Sequence, residues 1–258
     1  VALGHDDLAF LQYTGGTTGV AKGAMLSHGN MVANVLQVAA WIGRDMKDGA
    51  ETLVIPLPLY HVFALTGALS FFSRGTHTVL VANPRDLPAF IKTLKALPPS
   101  ALIGVNTLYR ALLDAPGFAE VDFSRLKLAV AGGMAVQHVV AQRWKQATGV
   151  PLVEGYGLTE TAPVAIANPT DIAEWSGGIG VPLPSTEAAI LGEQGQPLPP
   201  GEVGEIAVRG PQVMKGYWQR PEESAKVFSA DGWLRTGDMG VMDERGSFHL
   251  TDRKKDMI

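Results

Sequence analysis

The sequence contains no cysteine, which excludes a disulfide-stapled scaffold, a cysteine zinc site and any covalent mechanism through an enzyme thiolate. A basic surplus is missing too. Lys and Arg number 21 against 25 Asp and Glu, for a formal charge of −4, so the electrostatic footprint of a nucleic-acid binder is lacking. The opening residues hold Asp6 and Asp7 and no basic segment, which is not the pattern of a secretory leader, and Val1 in place of methionine suggests an unnatural start. The run from Thr52 to Ser73 carries no formal charge and is long enough for a bilayer, but Pro56, Pro58 and His61 interrupt it. A buried strand followed by a buried helix is the expectation there.

What is present is the material of a folded α/β protein. Apolar residues make up 46% of 258, enough for a sizeable core and one or two domains. From Leu8 to about Asn168, short apolar runs alternate with helical patterns. Strands are expected at Leu8–Tyr13, Leu53–Leu57, Thr76–Val81, Ala101–Gly104, Leu126–Ala131 and Leu152–Glu154. Helices are expected at Asn30–Trp41 (capped by Asn30 or Ser27), Val62–Phe72, Asp86–Leu97, Asn106–Asp114 and Val136–Thr148. Fully apolar strands such as Leu128–Ala131 point to a largely parallel sheet covered by helices, with ligands beyond the carboxyl ends of the strands. From Ser176 to Pro211 the texture changes to eight Gly and six Pro around short strands, which reads as a small β-rich, barrel-like subdomain. The expected organisation is therefore an α/β subdomain over 1–172, a β-rich subdomain over 173–252 and a polar segment over 253–258.

Chemistry concentrates first in Tyr13-Thr-Gly-Gly-Thr-Thr-Gly-Val-Ala-Lys-Gly23. Its glycines let backbone N–H groups converge on an anion, Thr14, Thr17 and Thr18 add hydroxyls, and Lys22 adds charge. A Walker A loop does not fit, because Ala21 stands where Gly is required and Gly23 where Ser or Thr must hold magnesium. Four further segments stand out in order: Pro58-Leu-Tyr-His-Val-Phe63, Glu154-Gly-Tyr-Gly-Leu-Thr-Glu160, Gly232-Trp-Leu-Arg-Thr-Gly-Asp238 and Asp252-Arg-Lys-Lys-Asp-Met-Ile258. Taken singly each has a bland reading. Glu160 could be a first-turn helix acid, His61 or Tyr156 a core residue, Asp238 a turn aspartate, and Lys255 part of a solvated basic run.

Together these five segments resemble the motifs of the adenylate-forming superfamily, which includes acyl-CoA synthetases, and the resemblance runs over essentially the whole chain. Asn83-Pro-Arg-Asp86, Gly104-Val-Asn-Thr107, Gly132-Gly-Met134 and Gly210-Pro-Gln-Val-Met214 look most like bacterial long-chain fatty-acid–CoA ligases. The resemblance implies ATP-dependent activation of a fatty acid to an acyl-adenylate and then to acyl-CoA, with ATP, Mg2+ and coenzyme A as cofactor and co-substrates. It also implies roles. Thr14, Gly15, Gly16, Thr17, Thr18, Gly19 and Lys22 would hold the phosphates, with Thr14 and Glu160 at magnesium and Thr159 on the α-phosphate. Gly132, Gly133, Glu154, Gly155, Tyr156 and Gly157 would surround adenine, and Val62 would touch the nucleotide. Asp238 would accept from the ribose hydroxyls, with Arg253 and Lys255 at the hinge. His61, Phe63, Leu65, Gly104, Val105 and Gly180 would line the acyl tunnel, and Thr159, Glu160 and Lys22 would carry catalysis.

Two alternatives stay open: transfer of the acyl group to a carrier protein, and a non-catalytic nucleotide- or acyl-binding module. Members of the family are longer, so this chain is expected to be a piece of the large domain that lacks the small C-terminal domain and is inactive or nearly so alone. Self-association through the resulting edges is expected, as are a cytoplasmic location and peripheral contact with the inner face of the membrane. Ala21 and Ala135 depart from the family pattern by replacing proline, which softens two loops without removing a functional group.

Overall fold

The computed structural model describes residues 2–14, 21–43 and 46–253. In chain order the elements are β1 (Leu8–Thr14), β2 (Lys22–Ser27), α1 (His28–Trp41), β3 (Thr52–Ile55), α2 (Val62–Phe72), β4 (His77–Leu80), α3 (Leu87–Ala96), β5 (Ala101–Gly104), α4 (Asn106–Asp114), β6 (Leu128–Ala131) and α5 (His138–Thr148). They continue with β7 (Leu152–Gly157), β8 (Val164–Ala167), β9 (Val181–Pro182), β10 (Glu187–Leu191), β11 (Val203–Arg209), α6 (Pro221–Val227), β12 (Leu234–Met242) and β13 (Phe248–Arg253). These group into two compact units, neither contiguous in sequence: the described residues of 1–37, 156–167 and 178–258, and those of 38–155 and 168–177.

The unit built on 38–155 is a parallel sheet of order β4-β3-β5-β6-β7. The inner strands β3 and β5 are buried on both faces, successive side chains pointing to opposite sides. In β3, Val54 joins one core and Leu53 and Ile55 the other; in β5, Leu102 joins the first and Ala101 and Ile103 the second. The first core is filled by α3, α4 and α5 through Phe90, Leu94, Tyr109, Leu112 and Trp144, and the second by α2 through Ala64 and Phe71. Tyr109 packs edge-on against Trp144 at 4.7 Å and donates its hydroxyl to the Val130 carbonyl at 2.7 Å, so its polar end is satisfied inside the core. The uncharged run is β3 followed by α2, as the prolines predict, and no helix among the described residues is long and apolar enough to cross a membrane.

The other unit contains the antiparallel hairpin β1–β2, the antiparallel pair β8–β9 and an antiparallel sheet of order β10-β11-β12-β13. The sequence pattern misses β2, β8 and the two-residue β9. In β2 the run Lys22-Gly-Ala-Met-Leu-Ser27 has weak strand formers at its start, and its pairing with β1 supplies what local preference does not. The N-terminus of α1 resolves the capping question in favour of Ser27, whose Oγ accepts from the Asn30 N–H at 3.2 Å. Asp86 caps α3 as expected, accepting from the Ala89 N–H at 3.1 Å.

Candidate active site

In the hairpin unit, Thr14 pairs directly with Lys22 across β1 and β2. The Gly-rich segment is therefore the connection between two hydrogen-bonded strand ends. Gly15, Gly16, Thr17, Thr18 and Gly19 lie outside the described residues, as does Lys255. Lys22 places its Nζ 2.5 Å from Glu223 Oε2, on the first turn of α6, and 5.1 Å from the centre of the Tyr217 ring. Hydrogen bonds from Lys22 and then from Lys226 hold the Glu223 carboxyl down at about 2. Glu223 is therefore ionised through the whole neutral range.

Tyr217 reaches this position on a strap of backbone alongside β2. Met214 N–H donates to the Glu160 carbonyl, Lys215 N–H to Met25, Met25 N–H to Gly216 and Trp218 N–H to Gly23. The strap carries the Tyr217 hydroxyl to Glu160 Oε1, to which it donates at 2.6 Å. Burial and the neighbouring Glu160 charge push the phenol far above its ordinary pKa, so it remains a donor. Glu160 and Thr159 sit on a single 3-10 turn, Thr159–Thr161, which opens directly after β7. Asn34 of α1 pins the start of the strand that follows. Its Nδ2 donates to the Val164 carbonyl at 2.7 Å and its Oδ1 accepts from the Val164 N–H at 3.0 Å.

Two more predicted nucleotide residues meet in this unit. The Tyr156 hydroxyl donates to Asp238 Oδ2 at 2.8 Å, and the Tyr156 ring is buried. Asp238 is held by its surroundings: its N–H donates to Thr236 Oγ1, and the preceding Gly237 N–H donates to Glu205 Oε1 at 3.0 Å. Glu205 is itself buried and paired with Arg235 at 2.6 Å. Arg253 lies directly across from Asp238 in the β12–β13 register, so the backbones of the expected ribose and hinge residues are neighbours. Gly157 has no room for a side chain, since a Cβ there would overlap the Pro163 carbonyl. Gly180 also belongs to this unit, where its carbonyl accepts from the Phe248 N–H at 2.7 Å.

The parallel-sheet unit gathers the remaining residues at the carboxyl ends of its strands, where such sheets place ligands. His61 is exposed and caps α2, its Nδ1 accepting from the Phe63 N–H at 3.3 Å; it is not the core histidine that position types usually suggest. Val62 is buried, and Phe63 and Leu65 are half-buried on the same helix. The Phe63 ring closes on Gly132 so tightly that a Cβ there would stand 3.0 Å from it, and a Cβ on Gly104 would stand 3.1 Å from the Tyr109 ring. Gly133, at φ 75°, lies near Val105. Glu154 lies within β7, three residues before its end, and both carboxylate oxygens are committed: Oε1 accepts from the Val136 N–H at 2.9 Å and Oε2 from the Trp175 indole at 2.6 Å. Burial raises its pKa against the pull of those two bonds. Gly155 follows it with a half-buried backbone.

Tyr217, Glu205 and Asn34 are absent from the sequence-based set. The signal for Tyr217 is the aromatic pair Tyr217-Trp218 set between Gly216 and Pro221, where turn residues would be ordinary. Nothing in local sequence distinguishes Glu205 or Asn34 from a strand or helix residue facing solvent. Among the described residues no group of three or more His, Asp or Glu side chains could hold a metal ion. A lone carboxylate suits magnesium that arrives on a phosphate chain, because this ion is commonly held by one or two carboxylates plus substrate oxygens. Glu160, with one oxygen fixed by a hydroxyl, fits that donor set.

The model of the AMP-binding enzyme family matches residues 1–218. The long-chain-fatty-acid–CoA ligase of Salmonella typhimurium is 55% identical over 254 residues, covering 98% of this chain and 45% of that protein. The chain thus spans about half the length of the curated relatives it matches. Among solved structures, ATP-bound MatB from Rhodopseudomonas palustris superposes with a TM-score of 0.86 at 35% identity, covering 99% of this chain and 50% of that one. The O-succinylbenzoate coenzyme A synthetase of Bacillus subtilis, in complex with AMP, gives 0.86 at 29% identity, covering 99% and 51%. Motif order, fold and sequence agree: the chain belongs to the AMP-binding enzyme family.

Proposed function

We propose that this chain forms the nucleotide- and acyl-binding part of a ligase that activates a long-chain fatty acid with ATP and passes it to coenzyme A. In the first step the fatty carboxylate attacks the α-phosphorus, an acyl–oxygen–phosphorus bond forms, and the bond to the β-phosphate breaks to release pyrophosphate. In the second, the thiolate sulfur attacks the acyl carbonyl and AMP leaves. Two anions must approach one another in the first step, so positive charge and oriented donors are needed around the phosphates. Lys22 and the N–H groups at the hairpin connection would supply these, and the Thr159 hydroxyl would donate to the α-phosphate. Bound at Glu160, with Thr14 nearby, magnesium would neutralise phosphate charge. Tyr156 and Asp238 would orient the nucleoside, and the residues around Phe63, Gly104 and Gly132 would receive the acyl chain.

The observation that supports this reading most is that one compact unit holds both Tyr156 bonded to Asp238 and Lys22 and Glu160 in contact with the same Tyr217 side chain. The names of the ligase relatives support the substrate class. The test is acid-dependent ATP–pyrophosphate exchange by the full-length protein, followed by thioester formation on adding coenzyme A. Each methylene buried in an apolar tunnel is worth about 0.8 kcal/mol, so kcat/KM should climb steeply from octanoate to palmitate. A preference for acetate or for aromatic acids would overturn the long-chain assignment, and exchange without thioester formation would favour a carrier protein as acceptor.

A further inference from the structure

Tyr217 touches both side chains to which the activation reading assigns phosphate charge and metal. Its hydroxyl donates to Glu160 Oε1 at 2.6 Å, and its ring lies under the Lys22 ammonium at 5.1 Å. The main chain that carries the Tyr217 side chain is held on both sides. The Tyr217 backbone is fixed on one side by its bridge to Ala24 of β2. On the other side its N–H donates at 2.8 Å to Ser224 Oγ, which in turn donates to the Arg220 carbonyl at 2.9 Å. The same short helix supplies Glu223, which grips Lys22 at 2.5 Å. A carboxylate bonded at one oxygen by a phenol loses most of its freedom to rotate and presents the other oxygen in a fixed direction. A cation lying over an aromatic face is likewise kept from swinging into solvent.

We propose that Tyr217 is a positioning residue: through its hydroxyl it orients Glu160 toward the divalent cation carried by the triphosphate, and through its ring it keeps Lys22 aimed at the phosphates. The proposal rests on the activation reading above. It assigns a function to the Gly216-Tyr-Trp218 strap, which none of the five motifs includes.

The two limbs separate experimentally, because Tyr217→Phe removes the hydroxyl and keeps the ring, whereas Tyr217→Leu removes both. Binding is measured on the full-length protein with two probes: Mn2+–ATP, followed by water-proton relaxation, and AMP with a chelator present, followed by calorimetry. Groups that orient a metal ligand commonly alter metal affinity by about 10-fold or more. Tyr217→Phe should therefore weaken Mn2+–ATP binding by about 10-fold while leaving AMP binding unchanged. Tyr217→Leu should weaken Mn2+–ATP further and raise the KM for ATP. In a Glu160→Gln background the Phe substitution should add no loss, since the group it orients is already gone. Equal loss toward both probes, no loss toward Mn2+–ATP, or a full additional loss in the Glu160→Gln background would each overturn the proposal. A parent protein that binds neither probe would overturn the activation reading, and this proposal with it.

Discussion

Glu154 shows how a residue inside a recognition motif can have a structural task. Its carboxylate is buried, and the two bonds it accepts, from Val136 and Trp175, lie wholly within the parallel-sheet unit. Burial raises its pKa above the ordinary carboxylate value, so over the interval between the unfolded and folded pKa the folded protein holds more protons than the unfolded chain. This group's contribution to stability is therefore greatest below that interval and falls as pH rises through it. Glu154→Gln removes the charge while keeping one acceptor. The melting temperature of the variant relative to the parent should become more favourable between pH 4 and pH 7, as read by thermal denaturation across that range. A difference that is flat or runs the other way would mean the carboxylate carries no burial penalty.

At the scale of elements, α1 does more than cover a sheet. Its buried stripe is Asn30, Met31, Asn34 and Gln37, three of them polar, and each amide is matched to named partners. Asn30 Nδ2 donates to the carbonyls of Pro211 and Val213, and Gln37 Nε2 to the carbonyl of Pro184. Asn34 takes both main-chain groups of Val164, directly after the turn that carries Thr159 and Glu160. Asn34→Ala should lower stability by about 1–3 kcal/mol, the usual cost of leaving buried polar groups unpaired. Asn34→Asp should cost more, because it sets a carboxylate against the Val164 carbonyl and Gln37 Oε1. Urea denaturation of both variants checks the order; equal stability to the parent would show that water satisfies Val164 unaided.

Across the whole molecule, protection follows burial within each unit. Every residue of β3 and of β5 is buried, whereas neither α6 nor β1 has a buried residue. Local opening is cheapest where few apolar contacts are lost. Hydrogen exchange should therefore be slowest in β3 and β5 and fastest in α6, so the helix that anchors Lys22 and Tyr217 is held mainly by polar contacts. Slow exchange throughout α6 would contradict this.

Local sequence determined the parallel-sheet half almost unaided. Val62–Phe72, Ala101–Gly104 and Asn106–Asp114 form the expected elements at the expected bounds, since a fully buried apolar strand and helically spaced apolar residues are both visible in local pattern. The family resemblance of the motifs likewise singled out Lys22, Glu160, Tyr156 and Asp238, which the fold gathers in one unit. Tertiary structure alone decided the rest. Strands β2 and β8 form because neighbouring strands pair with them where local preference is weak, and Asn34, Glu205 and Tyr217 earn their places through contacts 30 to 130 positions away. A side chain's partners across such distances are fixed by the folded path of the backbone, which no local pattern encodes.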